Sequence, residues 1–451
     1  MNAIGASIFS VIAVLLLFGN RRIALVGMMA AVLYLPQQQA FDFAGANMTG
    51  IRLLELVALL RIFARRELFV IAWNRIDALF LIAYGFTMST YLLRSDTGQF
   101  EMIGSAIDAT LCYFTFRSLL RNQDDLEWFL RSLVVLIIPF LVLLTIELNT
   151  GKNPFAALGT WASWVELRDD RPRAMGSFRN PSLLGTLGAS FVPLYIALLV
   201  AGGKKRLATL GLLACGFVIA ASNSGGPISA AAVGILGWLC WPLRAHMHIL
   251  RRALLITFCA LALAMDAPVW SLIERVSFLS GGSGWHRAHL LTMAYRDIDM
   301  WWLIGMPVAQ TRDWFPYVLG LTGTADITNT FVDFGLKAGV GAILLFVYLL
   351  VLAYRRIGQA LDASAFSKPM GGARFMLWGL GCTLAVHVAT WFSITYFDQI
   401  AVVWFLQLAM ISTLSHHILA HASRAEDSTG ILPSLGTSTT SSRTPYSTSS
   451  S

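Results

Sequence analysis

Charge is scarce in this chain. Only 13% of its 451 residues are Asp, Glu, Lys or Arg, while 56% are hydrophobic and the mean hydropathy is +0.66. A soluble domain carries about twice that charged fraction, so an ordinary water-soluble enzyme is excluded. The composition points to an all-α polytopic membrane protein with one helical domain over residues 1–420. Cysteine is sparse too. The five present (Cys112, Cys215, Cys240, Cys259, Cys382) lie inside apolar runs, none in CxxC spacing, and give no reason to expect metal or redox chemistry or a cofactor. No Lys or Arg precedes Arg21, so the first apolar run lacks the basic segment of a cleaved signal peptide and reads as a retained anchor helix. The net charge of +8 is spread over short loops, a pattern that does not call for nucleic acid as a partner. Residues 421–451 are expected to form a disordered cytoplasmic tail, because Ser428 to Ser451 is dominated by Ser and Thr.

Long apolar runs are what the chain has in abundance. A spanning helix needs about 20 apolar residues. Candidate spans run from Ala6–Phe18 through Trp128–Leu148 and Ser182–Ala201 to Ile400–Leu414, about 12–13 in all. Lys and Arg mark alternate connections as cytoplasmic: Arg21/Arg22, Arg61 to Arg75, Arg117/Arg121, Lys204 to Arg206, Arg244 to Arg252, and Arg355/Arg356. The intervening connections are then periplasmic. Two of these are long, at about 149–181 and 266–329, and they break the charge rule. The first holds Arg168, Arg171, Arg173 and Arg179; the second holds Arg275, Arg287, Arg296 and Arg312. Long loops are exported despite such charge, but a cluster of guanidinium groups at a membrane face also suits an anionic, lipid-borne substrate.

Three outer segments carry the polar residues. In RPRAMGSFRNPSLLG, Asn180 is placed to cap a helix beginning at Pro181, and such an end favours anions. Arg173 and Arg179 flank it and suit bidentate grips on phosphate. Arg168 and Arg171 are expected to pair with Glu166, Asp169 and Asp170. The segment SNSGGPISA by itself reads first as a plain hairpin between two spans, with exposed backbone amides. The third, GWHRAHLLTMAYRDIDMWWLIG, repeats apolar residues at helical spacing and ends in tryptophans, which suits an interfacial helix in the second loop with His286 and Arg287 at its start. It leads on to Asp326, Thr328 and Asn329 at the mouth of the next span. Arg52 and Glu55 read as a surface pair three residues apart. Asp108 is the oddest charge within a span, and His387 and Asp398 read as packing or boundary residues.

Together these segments resemble the O-antigen ligase and polymerase-like proteins of bacterial surface-polysaccharide assembly. RAMGSFRNPSLLG is similar to that family's Arg–Gly–Phe–Asn–Pro signature. SNSGGPISA resembles its Ser-rich turn, lacking the Arg many members carry there. GWHRAHLL resembles the loop helix with an essential Arg, here Arg287. DITNTFVDFG resembles the His-Asn segment, with Asn329 matching the Asn and Thr328 in place of the His. The resemblance implies an inverting, metal-independent glycosyltransferase of the inner membrane. Its donor would be a glycan on a polyprenyl diphosphate, used at the periplasmic face, and its acceptor a glycan, lipid or protein. Arg173, Arg179, Asn180, Arg287 and Asn329 would bind substrate. With the His absent, Asp326 and then His286 are the candidate bases, followed by transfer without a strong base, driven by arginine stabilisation of the leaving group. Membrane lipid and other polysaccharide-assembly proteins are the remaining partners implied. A transporter of lipid-linked oligosaccharide and a non-catalytic glycan-binding relative stay open as alternatives. A single cysteine introduced near Gly323 is expected to react with an impermeant thiol reagent in intact cells; protection there would reverse the sidedness.

Overall fold

The computed structural model describes residues 1–43, 46–94, 98–160, 162–168, 170–202, 204–274, 284–314, 324–365 and 371–429. Asp169, Arg275, Gly323 and the tail from 430 onward lie outside these. The architecture is all-α and polytopic. In chain order the helices are α1 (Ala3–Phe18), α2 (Arg21–Tyr34), α3 (Gly50–Ala64), α4 (Arg75–Leu93), α5 (Gln99–Leu119), α6 (Gln123–Thr150), α7 (Pro181–Val200), α8 (Lys205–Ser222), α9 (Gly225–Leu239), α10 (Met247–Ala264), α11 (Gly284–Arg296), α12 (Ile298–Trp301), α13 (Thr330–Ala365), α14 (Gly371–Trp391) and α15 (Gln399–Thr429). Among the described residues, eight helical stretches are long and apolar enough to cross a membrane; α1 and α9 are apolar but shorter. Each candidate span of the sequence falls on a helix, and α15 carries helical structure through Thr429, into the segment expected to be tail. Two small antiparallel hairpins complete the described structure. One pairs β1 (Ala40–Phe43) with β2 (Ala46–Thr49), the other β3 (Glu166–Arg168) with β4 (Arg171–Arg173).

Local sequence sets the helix starts. Asn2, Asn20, Thr49, Asn74, Asn122 and Asn180 each precede a helix and accept a first-turn amide with the side chain, a contact worth about 1 kcal/mol. α7 lies at the centre with nearly every residue buried, packed by α8, α9 and α14. α10 is the opposite case: no residue in it is buried, so its apolar side chains are left for lipid. α13 is broken after one short stretch, at Ala338 and Gly339, where the backbone leaves the helical region. The groups freed there are satisfied from outside: Val340 N donates to the Trp302 carbonyl at 2.7 Å, and Arg94 Nη1 and Met306 N donate to the Leu336 carbonyl at 2.8 and 2.9 Å. Inside a membrane a break is tolerated only when its backbone groups find such partners.

The connections sort to two poles. At one, cations are matched by acids buried beside them. Arg21 and Arg22 both reach Asp125, Arg61 reaches Glu67, and Arg117 reaches Asp77. At the other pole lie the N-terminal residues and the segments expected outside. Asn2 Nδ2 donates to the Ala157 carbonyl at 2.6 Å, Gln399 Nε2 to Ser177 O at 2.8 Å, and Arg287 Nε to Ser393 O at 3.1 Å. One sequence expectation fails between the poles. Arg52 does not pair with Glu55; it makes a forked contact with Asp108 on α5 (Nε–Oδ1 2.8 Å, Nη2–Oδ2 2.6 Å), because the guanidinium reaches across to the neighbouring helix while Glu55 turns inward and is 2% exposed. That contact also accounts for Asp108.

The Asp77–Arg117 pair ties three helices. Arg117 Nη1 also donates to Thr413 Oγ1 on α15 at 2.7 Å, and Tyr113 Oη donates to Asp77 at 2.6 Å. Removing one partner of a fully buried pair costs about 3–5 kcal/mol. Arg117→Ala is therefore expected to lower the thermal unfolding midpoint in detergent sharply. The Asp77→Asn/Arg117→Ala double variant should lose less than the sum of the two single losses, whereas additive losses would contradict a shared pair.

Candidate functional site

The segment Ala174–Asn180 is fixed from several sides. Glu147, at the end of α6, accepts from Met175 N and Gly176 N, both at 2.9 Å. Asn153 Nδ2 donates to Gly176 O at 2.9 Å, and Ala174 N donates to Ala221 O at 2.9 Å. Gly176 has φ +57°, and a Cβ there would stand 2.9 Å from the Phe140 ring, so the turn needs glycine twice over. The segment is thus a rigid bracket with Arg173 at one end and Arg179 at the other.

Arg173 is buried at 2% exposure. It pairs with Glu166 across the β3–β4 hairpin and points Nη2 at Ser224 Oγ, 3.3 Å away. Ser224 stands at the N-cap of α9 but makes no side-chain cap bond; its hydroxyl instead meets Ser182 Oγ, in the first turn of α7, at 2.6 Å. Two helix N-termini therefore meet at the Arg173 guanidinium, and both carry positive partial charge. Arg287 arrives at the same place from the second long loop. It is held by Ser393 O, and its Nη2 would lie 3.9 Å from a Cβ at Gly226, in the first turn of α9. The absence of a side chain at Gly226 is what lets Ser393 and Arg287 settle there, since a Cβ would stand 2.8 Å from Ser393 Oγ.

The electrostatics are lopsided. Burial pulls Arg173 below the usual guanidinium range; Glu166 opposes this and Arg168 adds to it. Burial does the same to Arg287, again with Arg168 adding to it. Arg168 is therefore close enough to act on both, and among the described residues no carboxylate pairs with Arg287 or Arg168. Among the described residues, Arg173 alone of these three guanidinium groups has a carboxylate partner, Glu166, whose side chain is 42% exposed. Such an arrangement favours an anion carrying more than one charge.

The other expected site residues divide. Asn180 spends its side chain on Ser182 N at 2.8 Å, as the helix-start reading requires. Asn329 Oδ1 likewise caps α13, accepting from Phe331 N and Val332 N at 2.9 and 3.1 Å, while its buried Nδ2 has no partner among the described residues. Arg179 lies over the Phe397 ring at 5.2 Å and acts on Asp398. His286 is buried at the start of α11 and hydrogen-bonded to the Asp326 backbone; burial lowers its pKa, with Asp326 opposing and Arg287 and His289 reinforcing. Its imidazole is thus neutral near pH 7. Asp326 itself is exposed.

Several features differ from the sequence expectations. Glu166 pairs with Arg173, not with Arg168 or Arg171, because the hairpin register sets Glu166 opposite Arg173. Ser182, Ser224 and Glu147 were not marked in sequence, and Asp398 was set aside as a boundary residue. The second loop also contains an Asp-x-Asp, Asp297–Ile298–Asp299, the spacing of a metal motif; Asp297 accepts from Arg296 Nε at 2.6 Å and Trp314 Nε1 at 2.7 Å. No protein-family model and no curated protein matches the chain.

Replacing Glu147 by Ala leaves the Met175 and Gly176 amides without their acceptor, at about 1–3 kcal/mol for each buried donor. The thermal midpoint of Glu147→Ala is expected to fall clearly, with increased proteolysis near residue 175. An unchanged midpoint would show that the bracket does not depend on this carboxylate.

Proposed function

We propose that the chain is a membrane glycosyltransferase of the O-antigen ligase or polymerase type. It takes glycan from a polyprenyl diphosphate donor at the periplasmic face of the bacterial inner membrane, by inverting, metal-independent transfer. The observation that carries the reading is the meeting of Arg173 and Arg287, from two separate loops, at the first turn of α9 with Arg168 close by. A departing diphosphate gains negative charge as its bond to the sugar breaks. Fixed guanidinium groups stabilise that gain without reorganising. At about 4 Å and an effective dielectric of about 20, each interaction between a unit charge and a guanidinium amounts to about 4 kcal/mol. The donor's lipid anchor brings it to this pole, and the acceptor is a glycan, lipid or protein hydroxyl. Other polysaccharide-assembly proteins would supply the donor.

One observation favours a different class. The break in α13 at Ala338–Gly339 is a feature of transporters, which build substrate sites from interrupted helices. Here the freed backbone groups are taken up by Trp302, Met306 and Arg94. A transported ligand would compete with those contacts, so surface chemistry at the arginines is the better-supported reading.

Arg173→Ala and Arg287→Ala are each expected to lower product formation on the order of 10²–10³-fold, the usual effect of losing one preorganised donor, while the protein inserts and accumulates as wild type. Arg287→Lys should also fail, because a point charge cannot reproduce a forked contact. Wild-type glycoconjugate formation by both alanine variants would overturn the reading.

A further inference from the structure

Residues 392–398 join α14 to α15, and they touch both sides of the arginine site. Ser393 O receives Arg287 Nε, Ile394 O receives Thr330 Oγ1 at 3.2 Å, and Thr395 Oγ1 donates to Ile327 O at 2.5 Å. Immediately after the segment, Gln399 donates to Ser177 O on the bracket that carries Arg173 and Arg179. Asp398 closes the segment. It is five residues from Ser393, no more than about 17 Å even fully extended.

Asp398 differs from most carboxylates buried in the fold; Glu55 on α3 is another with an unpartnered oxygen among the described residues. Asp77, Asp125 and Glu147 are all engaged by arginines or backbone amides. Among the described residues no hydrogen-bond donor occupies the Asp398 carboxylate, although it is half-buried. The charged group that acts on it is Arg179, whose guanidinium lies over the adjacent Phe397 ring. Its backbone is left-handed, φ +54°, a conformation kept by few residues other than glycine and here fixed as α15 begins, where Ala401 N donates to the Asp398 carbonyl at 3.1 Å. Among the described residues it is thus a half-buried carboxylate with no donor, beside Arg179, on the segment whose start holds Arg287.

We propose that Asp398 accepts the proton of the acceptor hydroxyl, an assignment that rests on the transfer function proposed above. The hydroxyl oxygen forms a bond to the anomeric carbon and its proton passes to the Asp398 carboxylate. The bond from that carbon to the diphosphate oxygen breaks, and its electron pair leaves with the diphosphate held by Arg173 and Arg287. Burial raises the Asp398 pKa to about 6, with Arg179 opposing. The group is therefore mostly ionised at neutral pH yet more basic than an exposed aspartate. His286 is committed to the Asp326 backbone, and the Asp326 side chain is exposed to water.

The test compares binding with transfer. Asp398→Asn suits it because Asn also tolerates left-handed backbone. Farnesyl diphosphate serves as the binding probe for purified protein, and conversion of lipid-linked donor in membranes reports transfer. Asp398→Asn should bind the probe within about twofold of wild type and lose transfer by about 10²–10⁴-fold. Asp398→Glu should recover part of the activity. Wild-type transfer should rise with pH through about 6, and Arg179→Gln should move that rise to higher pH. Transfer by Asp398→Asn at the wild-type rate overturns the assignment and leaves the arginine clamp standing. Loss of probe binding or of accumulation in both Asp398 variants overturns it as well, by making Asp398 structural. Failure of the wild-type protein to bind the probe removes the clamp, and the base assignment with it.

Discussion

A guanidinium withdrawn from water must find negative charge, and Arg173 finds only part of what it needs. Among the described residues its one carboxylate partner, Glu166, is partly exposed, and its other contacts are a serine hydroxyl and a distant carbonyl. Arg287, fixed by a neutral carbonyl, is worse supplied. Cations at the opposite pole are handled differently: Arg21, Arg22, Arg61 and Arg117 each meet a carboxylate buried beside them. Among the described residues, these helix-tying arginines are neutralised by buried acids, whereas Arg173 and Arg287 are left with less. Keeping charge in that state is costly, and this is the ground for proposing an anionic ligand there.

The surrounding structure maintains the geometry. Glu147 and Asn153 hold the Ala174–Asn180 bracket, the hairpin register sets Arg173 against Glu166, and Ser182 meets Ser224 so that α7 and α9 start side by side. The second long loop contributes through α11, and the residues between α14 and α15 hold Arg287 in position. Segments scattered over more than 200 positions of sequence thus contribute to one small volume, and none of them forms the site alone.

Much of this was legible in sequence, for a physical reason. Apolar runs long enough to span a bilayer must become helices, because nothing else satisfies their backbone groups there. Asn and Thr before such runs mark the caps. The grouping of the outer segments followed from charge alternation, and the choice of Arg173 and Arg287 followed from motif context. What sequence hid depends on side-chain reach between helices. Arg52 finds Asp108 at 56 residues' distance rather than Glu55 at three. Glu166 lies two positions from Arg168 but pairs with Arg173, since only the hairpin register decides which arginine it faces. Asp398 looks like a boundary residue until burial and the approach of Arg179 set it apart.

The central claim is that the two loops build one anion site. It is tested most directly by a double-mutant cycle on farnesyl diphosphate affinity with Arg173→Ala, Arg287→Ala and the double variant, in purified protein at fixed salt. If both guanidinium groups grip one diphosphate, the effects are strongly non-additive: either single change removes most of the affinity and the second adds little. Losses that sum to within about 0.3–0.5 kcal/mol, the behaviour of independent positions, or affinities unchanged in all three variants, would contradict it.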